Sequence, residues 1–314
     1  MPELPEVEGL AAALRERLEG RVVAEVALAS FSALKTVDVL PQSLHGRPVD
    51  DVRRYGKLLD LVVDGTHVVV HLMRAGWVTW HDEVPRTRLR PGGKSPVAVR
   101  ITLDDGSGMD LYEAGTRKGM AVYLADDPGT LEALTTLGPD AVSLRPPLES
   151  PPLVGVDTTT GEVGVTASTT PEERAAFWAE ALEGRRTQIK RVLRDQSVVS
   201  GIGNGWSDEI LHTARLSPFV LGATLEAEEV GRLSEAVHEV LVGAAERAVG
   251  RAPADLKDGK RSGMRVHGRT GEECPVCGDV VREVTYADSS LQYCATCQTG
   301  GQVLADRSTS KFVK

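Results

Sequence analysis

The sequence has no run of about 18 or more apolar residues, the length a helix needs to cross a bilayer, so no membrane span is expected. Its start, MPELPEVEG, is acidic and has neither the basic residues nor the apolar stretch of an export signal, and a cytoplasmic protein is expected. Cysteine is missing from everything before Cys274, and the only four are Cys274, Cys277, Cys294 and Cys297. Whatever chemistry thiols contribute is therefore confined to the C-terminal end. An excess of positive charge is missing as well. The formal net charge of -9, taken alone, argues against a nucleic-acid partner. What remains is ordinary globular material: 314 residues at 41% hydrophobic content, enough for two domains with cores and a small appendage.

Net charge hides the distribution. Acids crowd Glu132 to Glu183 and Glu226 to Glu239. Bases gather at Arg53-Arg54-Lys57, at Arg86-Arg88-Arg90-Lys94, at Arg185-Arg186-Lys190-Arg191-Arg194, and at Lys257-Lys260-Arg261-Arg265-Arg269. Any one such run reads as a solvated face. Four of them, beside the motifs below, point to one DNA groove on an acidic body.

Apolar periodicity divides the chain. Val7, Leu10, Ala11, Leu14 and Leu18 follow helical spacing, with Pro5 suited to the first turn and Gly20 to the end, which predicts a helix over 6–18. Strands are predicted at 58–63 and 67–72 around the turn Asp64-Gly65, and at 97–103 and 109–112 around a second turn. Residues 1–140 thus read as a mainly β domain opened by a helix, a sandwich. Residues 141–170, rich in Pro, Gly, Ser and Thr, read as a linker. Helices are predicted at 171–182, 187–194, 205–213 and 225–249, the first opened by a capping box of Thr170 and Glu173. Residues 253–314 hold all the cysteines and the tail. The expected class is α+β multidomain.

Cys274-x-x-Cys277 and Cys294-x-x-Cys297 are separated by sixteen residues. Two such knuckles on a hairpin provide four thiolates in a tetrahedron, the preferred structural site of Zn2+. Two disulfides or four free thiols are the plainer alternative. One structural zinc is expected, with no open coordination position and hence no part in catalysis.

Pro2-Glu3-Leu4-Pro5-Glu6 can be read as a capped helix start and nothing more. It can also be read chemically. Removal of Met1, which a small second residue permits, would free the secondary amine of Pro2. An α-amine has an ordinary pKa near about 8, and the positive end of the following helix favours its free base. Such an amine can attack C1′ of a deoxyribose and form an iminium, after which the phosphates leave by elimination. Glu3 is beside it to move protons.

MPELPEVE at the start, RRYGKLL around Lys57, DQSVVSGIGNGWSDEIL at 195–211 and the four-cysteine end occur in one order along the chain. In this the sequence resembles the formamidopyrimidine-DNA glycosylase/endonuclease VIII family. The resemblance implies a β-sandwich domain, a helical domain with a helix-two-turn-helix, a zinc ribbon, and damaged double-stranded DNA bound between the domains by a monomer. It implies a bifunctional DNA glycosylase/AP lyase with Pro2 as Schiff-base nucleophile, Glu3 as proton donor, Glu6 as a second carboxylate, and Lys57, on the strand after Arg53-Arg54, assisting elimination. It also implies phosphate contacts from Lys190 and from Asn204, which ends a Gly-Ile-Gly-Asn turn. His212 and His238 lie on predicted helices without a ligand-like partner and read as packing or surface residues.

The departures bear on substrate. Against the family's usual HLGMSG the chain has His71-Leu72-Met73-Arg74-Ala75-Gly76, so Arg74 stands at the methionine position and Met73 serves only if the loop shifts by one. Against DPRRFG it has Ala114-Gly115-Thr116-Arg117-Lys118-Gly119. Arg117 is retained, Thr116 replaces an arginine, and Lys118 replaces the aromatic wedge. Ser289 stands where an arginine linked to δ-elimination is usual, and the segment from Arg251 to Val266 is short. Two alternatives follow: an enzyme acting mainly on abasic sites or on an unusual adduct, with little 8-oxoguanine activity, and a non-enzymatic damage binder on the same fold. Retention of Pro2, Glu3 and Lys57 argues against the binder, which needs none of them.

Overall fold

The computed structural model describes every residue except 91, 93–94, 116–117, 157–162, 166–168, 287–288 and 306–314. Its strands are β1 (Val23–Leu28), β2 (Val49–Tyr55), β3 (Leu58–Val63), β4 (Thr66–His71), β5 (Gly76–His81), β6 (Val97–Leu103), β7 (Gly108–Glu113), β8 (Ala121–Ala125), β9 (Val154–Val156), β10 (Val163–Val165), β11 (Val281–Thr285) and β12 (Ser290–Cys294). Its helices are α1 (Leu4–Leu18), α2 (Glu132–Thr135), α3 (Pro171–Leu182), α4 (Ile189–Arg194), α5 (Asn204–Thr213), α6 (Ala227–Ala248), α7 (Leu256–Ser262) and α8 (Ala295–Thr299). Contacts group the chain into two compact units. One comprises Met1–Leu137, Pro146–Thr166 and Ala245–Asp258; the other comprises Gly138–Arg145, Ala167–Ala244 and Gly259–Lys314.

The first unit holds two four-stranded antiparallel sheets, in the orders β1-β6-β7-β5 and β2-β3-β4-β8. Alternation along the strands sends Leu59, Leu61, Val63, Val68, Val70, Val122 and Leu124 into one core with Val99, Ile101, Leu103, Met109 and Leu111, the packing of a sandwich. The turn between β3 and β4 is the expected Asp64-Gly65, with φ of 46° and 77°, the left-handed pair a two-residue hairpin needs. On the far side of the second sheet Tyr55, Leu58, Val69 and Ala125 pack under Leu134 of α2 and its N-cap residue Leu131. That sheet is therefore covered on both faces, which accounts for the nearly continuous apolar run of β3.

Helix α1 starts two residues before the predicted position because Glu3 is its N-cap. Glu3 and Glu6 form a reciprocal capping box, and Pro5 lies in the first turn, where a missing N–H costs nothing. Leu4, Val7, Leu10, Ala11, Leu14 and Leu18 are fully buried, and Gly9 lets the helix approach closely. A Cβ there would lie 2.8 Å from Ala248 Cβ and 2.9 Å from Leu256 Cδ2. Part of the expected linker is ordered in this unit as the hairpin of β9 and β10.

In the second unit α3 spans the predicted residues and carries the predicted capping box: Glu173 N donates to Thr170 Oγ1 at 3.2 Å, and Thr170 N donates to Glu173 Oε2 at 2.8 Å. β11 and β12 form the cysteine-bearing hairpin. One carboxylate fastens the approach to it onto α5: Glu209, buried, accepts the backbone N–H groups of Arg265 (2.7 Å), Val266 (2.9 Å) and His267 (2.8 Å). Burial raises the pKa of Glu209, and those three N–H groups oppose the shift, as hydrogen bonds to a charged form do.

Candidate active site and metal centre

The N-terminal end is held firmly. Pro2, Glu3 and Glu6 are buried while Met1 is 45% exposed. Glu6 Oε2 accepts the Glu3 N–H at 2.8 Å. The second carboxylate therefore acts first on the backbone, fixing Glu3 at the cap and Pro2 just ahead of it. The capping box is made by Glu3 and Glu6 without Met1, so removal of Met1 would free the amine and leave the box in place.

Lys57 lies in the two-residue turn between β2 and β3, not on a strand as expected. Gly56 beside it has φ of 55°, a conformation glycine adopts freely. Lys57 is 6% exposed. In the neighbouring basic run only Arg53 is exposed. Arg53 is paired with Asp51 at 2.8 Å, and Arg54 is buried, 2.6 Å from Glu8. Strand alternation turns Arg54 inward, and only the fold reveals that the inward position has a carboxylate waiting.

His71, which ends β4 opposite Leu58, has its pKa pushed down to about 4, by burial first and then by the charge of Lys57. The neutral ring accepts the Met73 N–H on Nδ1 at 2.9 Å. This holds the turn in which Met73, with φ of 54°, and Arg74 are both exposed. A Cβ on Gly119 would lie 3.7 Å from the Met73 side chain, so this turn meets the loop that carries Lys118. That loop is organised by Glu113, whose buried carboxylate accepts the N–H groups of Gly119 (2.9 Å) and Met120 (3.1 Å). Lys118 is exposed and donates to the Glu113 carbonyl. Arg117 and Thr116 lie outside the described residues. The short segment after Arg251 folds as α7, with Trp77 Nε1 donating to Pro253 O at 2.8 Å and the Lys257 ammonium 5.0 Å from the Trp77 ring.

In the second unit a pocket of about 600 Å³ is lined by Lys190, Arg191, Arg194, Asn204, Tyr286 and Ser289, among others. Lys190 is 6% exposed: its ammonium meets the Asp208 carboxylate, Ser207 Oγ (3.0 Å) and the Asn204 carbonyl (3.1 Å). It braces the first turn of α5 from within. Asn204 opens that helix and donates from Nδ2 to Ser290 O at 2.9 Å. Arg191 and Arg194 are exposed and form no ion pair among the described residues. They are the exposed cations of this pocket.

The four cysteine sulfurs lie within 4.8 Å of one another, with Cys277 to Cys294 at 3.4 Å and Cys274 to Cys297 at 3.9 Å. A tetrahedron with metal–sulfur bonds of about 2.3 Å has sulfur–sulfur edges of about 3.8 Å, so the donor set fits a metal ion. Burial holds the Cys294 thiol up at about 11 and drives Cys297 up as well, while a backbone hydrogen bond at Asp279 draws Cys277 down. Four thiolates at this spacing need a cation to offset their charge. His212, expected to be a packing or surface residue, places Nε2 3.3 Å from Cys274 Sγ. Helix α5 thus touches the cysteine cluster through one ring nitrogen, the kind of outer contact that orients a metal ligand. No periodicity in the sequence joins positions 212 and 274.

A family model described as the formamidopyrimidine-DNA glycosylase N-terminal domain matches residues 1–120, and one described as the formamidopyrimidine-DNA glycosylase H2TH domain matches residues 165–252. A formamidopyrimidine-DNA glycosylase of Symbiobacterium thermophilum is 31% identical over 95% of this chain and 89% of its own length. An uncharacterized formamidopyrimidine-DNA glycosylase-like protein of Mycobacterium tuberculosis is 54% identical over 43% of this chain and 86% of its own. The crystal structure of the Lactococcus lactis enzyme, non-covalently bound to DNA containing an AP site, superposes with a TM-score of 0.73 at 21% identity. It covers 95% of this chain and 99% of that one, and shows the fold to be shared. The chain belongs to the formamidopyrimidine-DNA glycosylase family.

Proposed function

We propose that the protein is a bifunctional DNA glycosylase/AP lyase of base excision repair, acting as a cytoplasmic monomer on damaged double-stranded DNA. The observation that carries this reading is the buried, reciprocally capped start of α1, with Pro2 directly ahead of Glu3, in a chain of this family. The Pro2 amine attacks C1′ as Glu3 delivers a proton to the opening sugar, the base departs, and the iminium allows the 3′ phosphate to leave by elimination with Lys57 assisting. One Zn2+ on Cys274, Cys277, Cys294 and Cys297 is structural: four thiolates fill its coordination and leave no open position.

Substrate choice follows from the wedge. Flipping a paired base costs a few kcal/mol, roughly, of unstacking and unpairing. Arg74 and Lys118 carry charge and enter a base stack only with a desolvation cost, whereas an abasic site has no base to extrude. Single-turnover cleavage is expected to be faster on an abasic site than on 8-oxoguanine opposite cytosine, with weak opposite-base selection and β-elimination products dominant. The reverse order of rates, with opposite-base discrimination intact, would show that the exposed Met73 or another residue builds a working wedge.

Binding is expected to weaken steeply with salt despite the net charge of -9. Each neutralised phosphate contributes a slope of about -0.9 in log K against log salt. Arg191 and Arg194, with no ion pair among the described residues to surrender, carry the largest shares, so replacing both with alanine should flatten the slope. Lys190, occupied by Asp208, acts by holding Asn204 in place. An affinity for abasic-site DNA that stays level between about 50 and 200 mM salt contradicts the phosphate contacts.

A further inference from the structure

Glu8 lies on the core-facing side of α1 among Leu4, Val7 and Ala11, all fully buried. A carboxylate in that stripe needs a strong reason, because burying a charge is costly unless every lone pair is satisfied. Here they are satisfied by three separate elements. Oε2 lies 2.6 Å from Arg54 Nε on β2, and Oε1 accepts the N–H groups of Leu153 and Val154, each at 3.0 Å, at the start of β9. Arg54 does not stop at Glu8. Its Nη1 donates to the carbonyl of Gly56 at 3.1 Å, the residue immediately before Lys57 in the left-handed turn. The guanidinium thus spans from the helix that begins beside Pro2 to the peptide that presents Lys57.

We propose that the Glu8–Arg54 pair is a positioning device that sets where Lys57 stands relative to the α-amine. The chemistry uses two nitrogens from parts of the sequence some fifty residues apart, and their separation has to be held tightly, since a displacement of about 1 Å at reacting groups can cost about a hundredfold in rate. The β2–β3 turn is two residues long and could rock about its flanking strands. A planar, two-armed guanidinium, locked by a carboxylate on α1, removes that freedom in a way a lysine at the same position could not. An apolar pair of equal volume would keep α1 packed but would leave the Gly56 carbonyl unheld. This inference rests on the reading of Pro2 as nucleophile and Lys57 as the assistant in elimination.

The test separates the two steps on a duplex carrying one abasic site. Borohydride trapping reports attack by the amine, and strand cleavage reports elimination. Glu8→Gln and Arg54→Lys are compared with the parent chain and with Lys57→Ala, alone and combined, with melting temperature followed alongside. Elimination should fall about tenfold or more in each single variant while trapping changes little. Neither change should add to the defect of Lys57→Ala. Should Glu8→Gln fail to fold, Arg54→Lys carries the test by itself, since it keeps the charge facing Glu8 and loses only the arm to Gly56. Trapping and elimination falling together, or losses that multiply with Lys57→Ala, would overturn the proposal. A parent chain that cleaves the abasic site but never traps would instead overturn the assignment of Pro2, a different result on the same gel.

Discussion

A chain that keeps one residue ahead of Pro2 is expected to form no borohydride-trapped adduct with abasic-site DNA, whereas the chain processed to Pro2 traps readily. The comparison isolates chemistry from folding. With Met1 in place, α1, the Glu3–Glu6 capping box and the burial of Pro2 are all intact, and Met1 itself is 45% exposed. The unprocessed chain therefore has the same site with an amide nitrogen where the amine belongs. An amide has no available lone pair and cannot attack C1′. Loss of a covalent nucleophile costs on the order of a thousandfold or more in the chemical step, and the deficit should appear in the single-turnover rate with DNA affinity nearly unchanged. Pro2→Gly, which keeps a primary amine, should trap more slowly than the parent chain. Equal trapping by the processed and unprocessed chains would place the nucleophile elsewhere, with the buried Lys57 the first side chain to test.

Removing the metal, or any one of its ligands, should unfold the β11–β12 hairpin and abolish tight DNA binding. The reason is the size of what would remain. The apolar residues beneath the hairpin form two small clusters, one of Val266, Cys274, Val281 and Cys294 and one of Val284, Leu291, Tyr293 and Ala295. Half of the first is made by ligand cysteines. A two-stranded hairpin with so little beneath it is marginal by itself, and in such units the free energy of metal binding, roughly 10–16 kcal/mol for structural zinc at neutral pH, is folding free energy. Cys294→Ser is the sharpest variant because Cys294 is fully buried and belongs to both the four-cysteine cluster and β12. Metal analysis should give one zinc per parent chain and none in the variant, with amide exchange accelerated across 281–294. Ser290 and Leu291 on this hairpin line the same pocket as Arg191 and Asn204, so its loss would dismantle the proposed phosphate contacts too. Zinc-free protein that still binds abasic DNA at parental affinity would refute the structural role.

Where physics is local, the amino-acid sequence was sufficient by itself. The 3.6-residue spacing in α1, the Thr170–Glu173 capping box that opens α3, the Asp64-Gly65 turn and the two cysteine knuckles each depend on residues a few positions apart. All four appear where the spacing places them. The family resemblance added the order of the parts. What the sequence could not decide were meetings between distant residues. β4 pairs with β8, and β5 with β7, through hydrogen bonds no local pattern encodes. Arg54 and Lys190 both read as exposed cations, yet each is buried against a carboxylate, Glu8 and Asp208 respectively. One clue was present: Glu8 occupies the apolar stripe of α1, and a charge there demands a buried partner, though its spacing does not say which. His212 meets Cys274 because α5 packs against the hairpin. A charge or ring is assigned its role by what the folded chain brings within about 3 Å of it, and for these residues that neighbour comes from another part of the sequence.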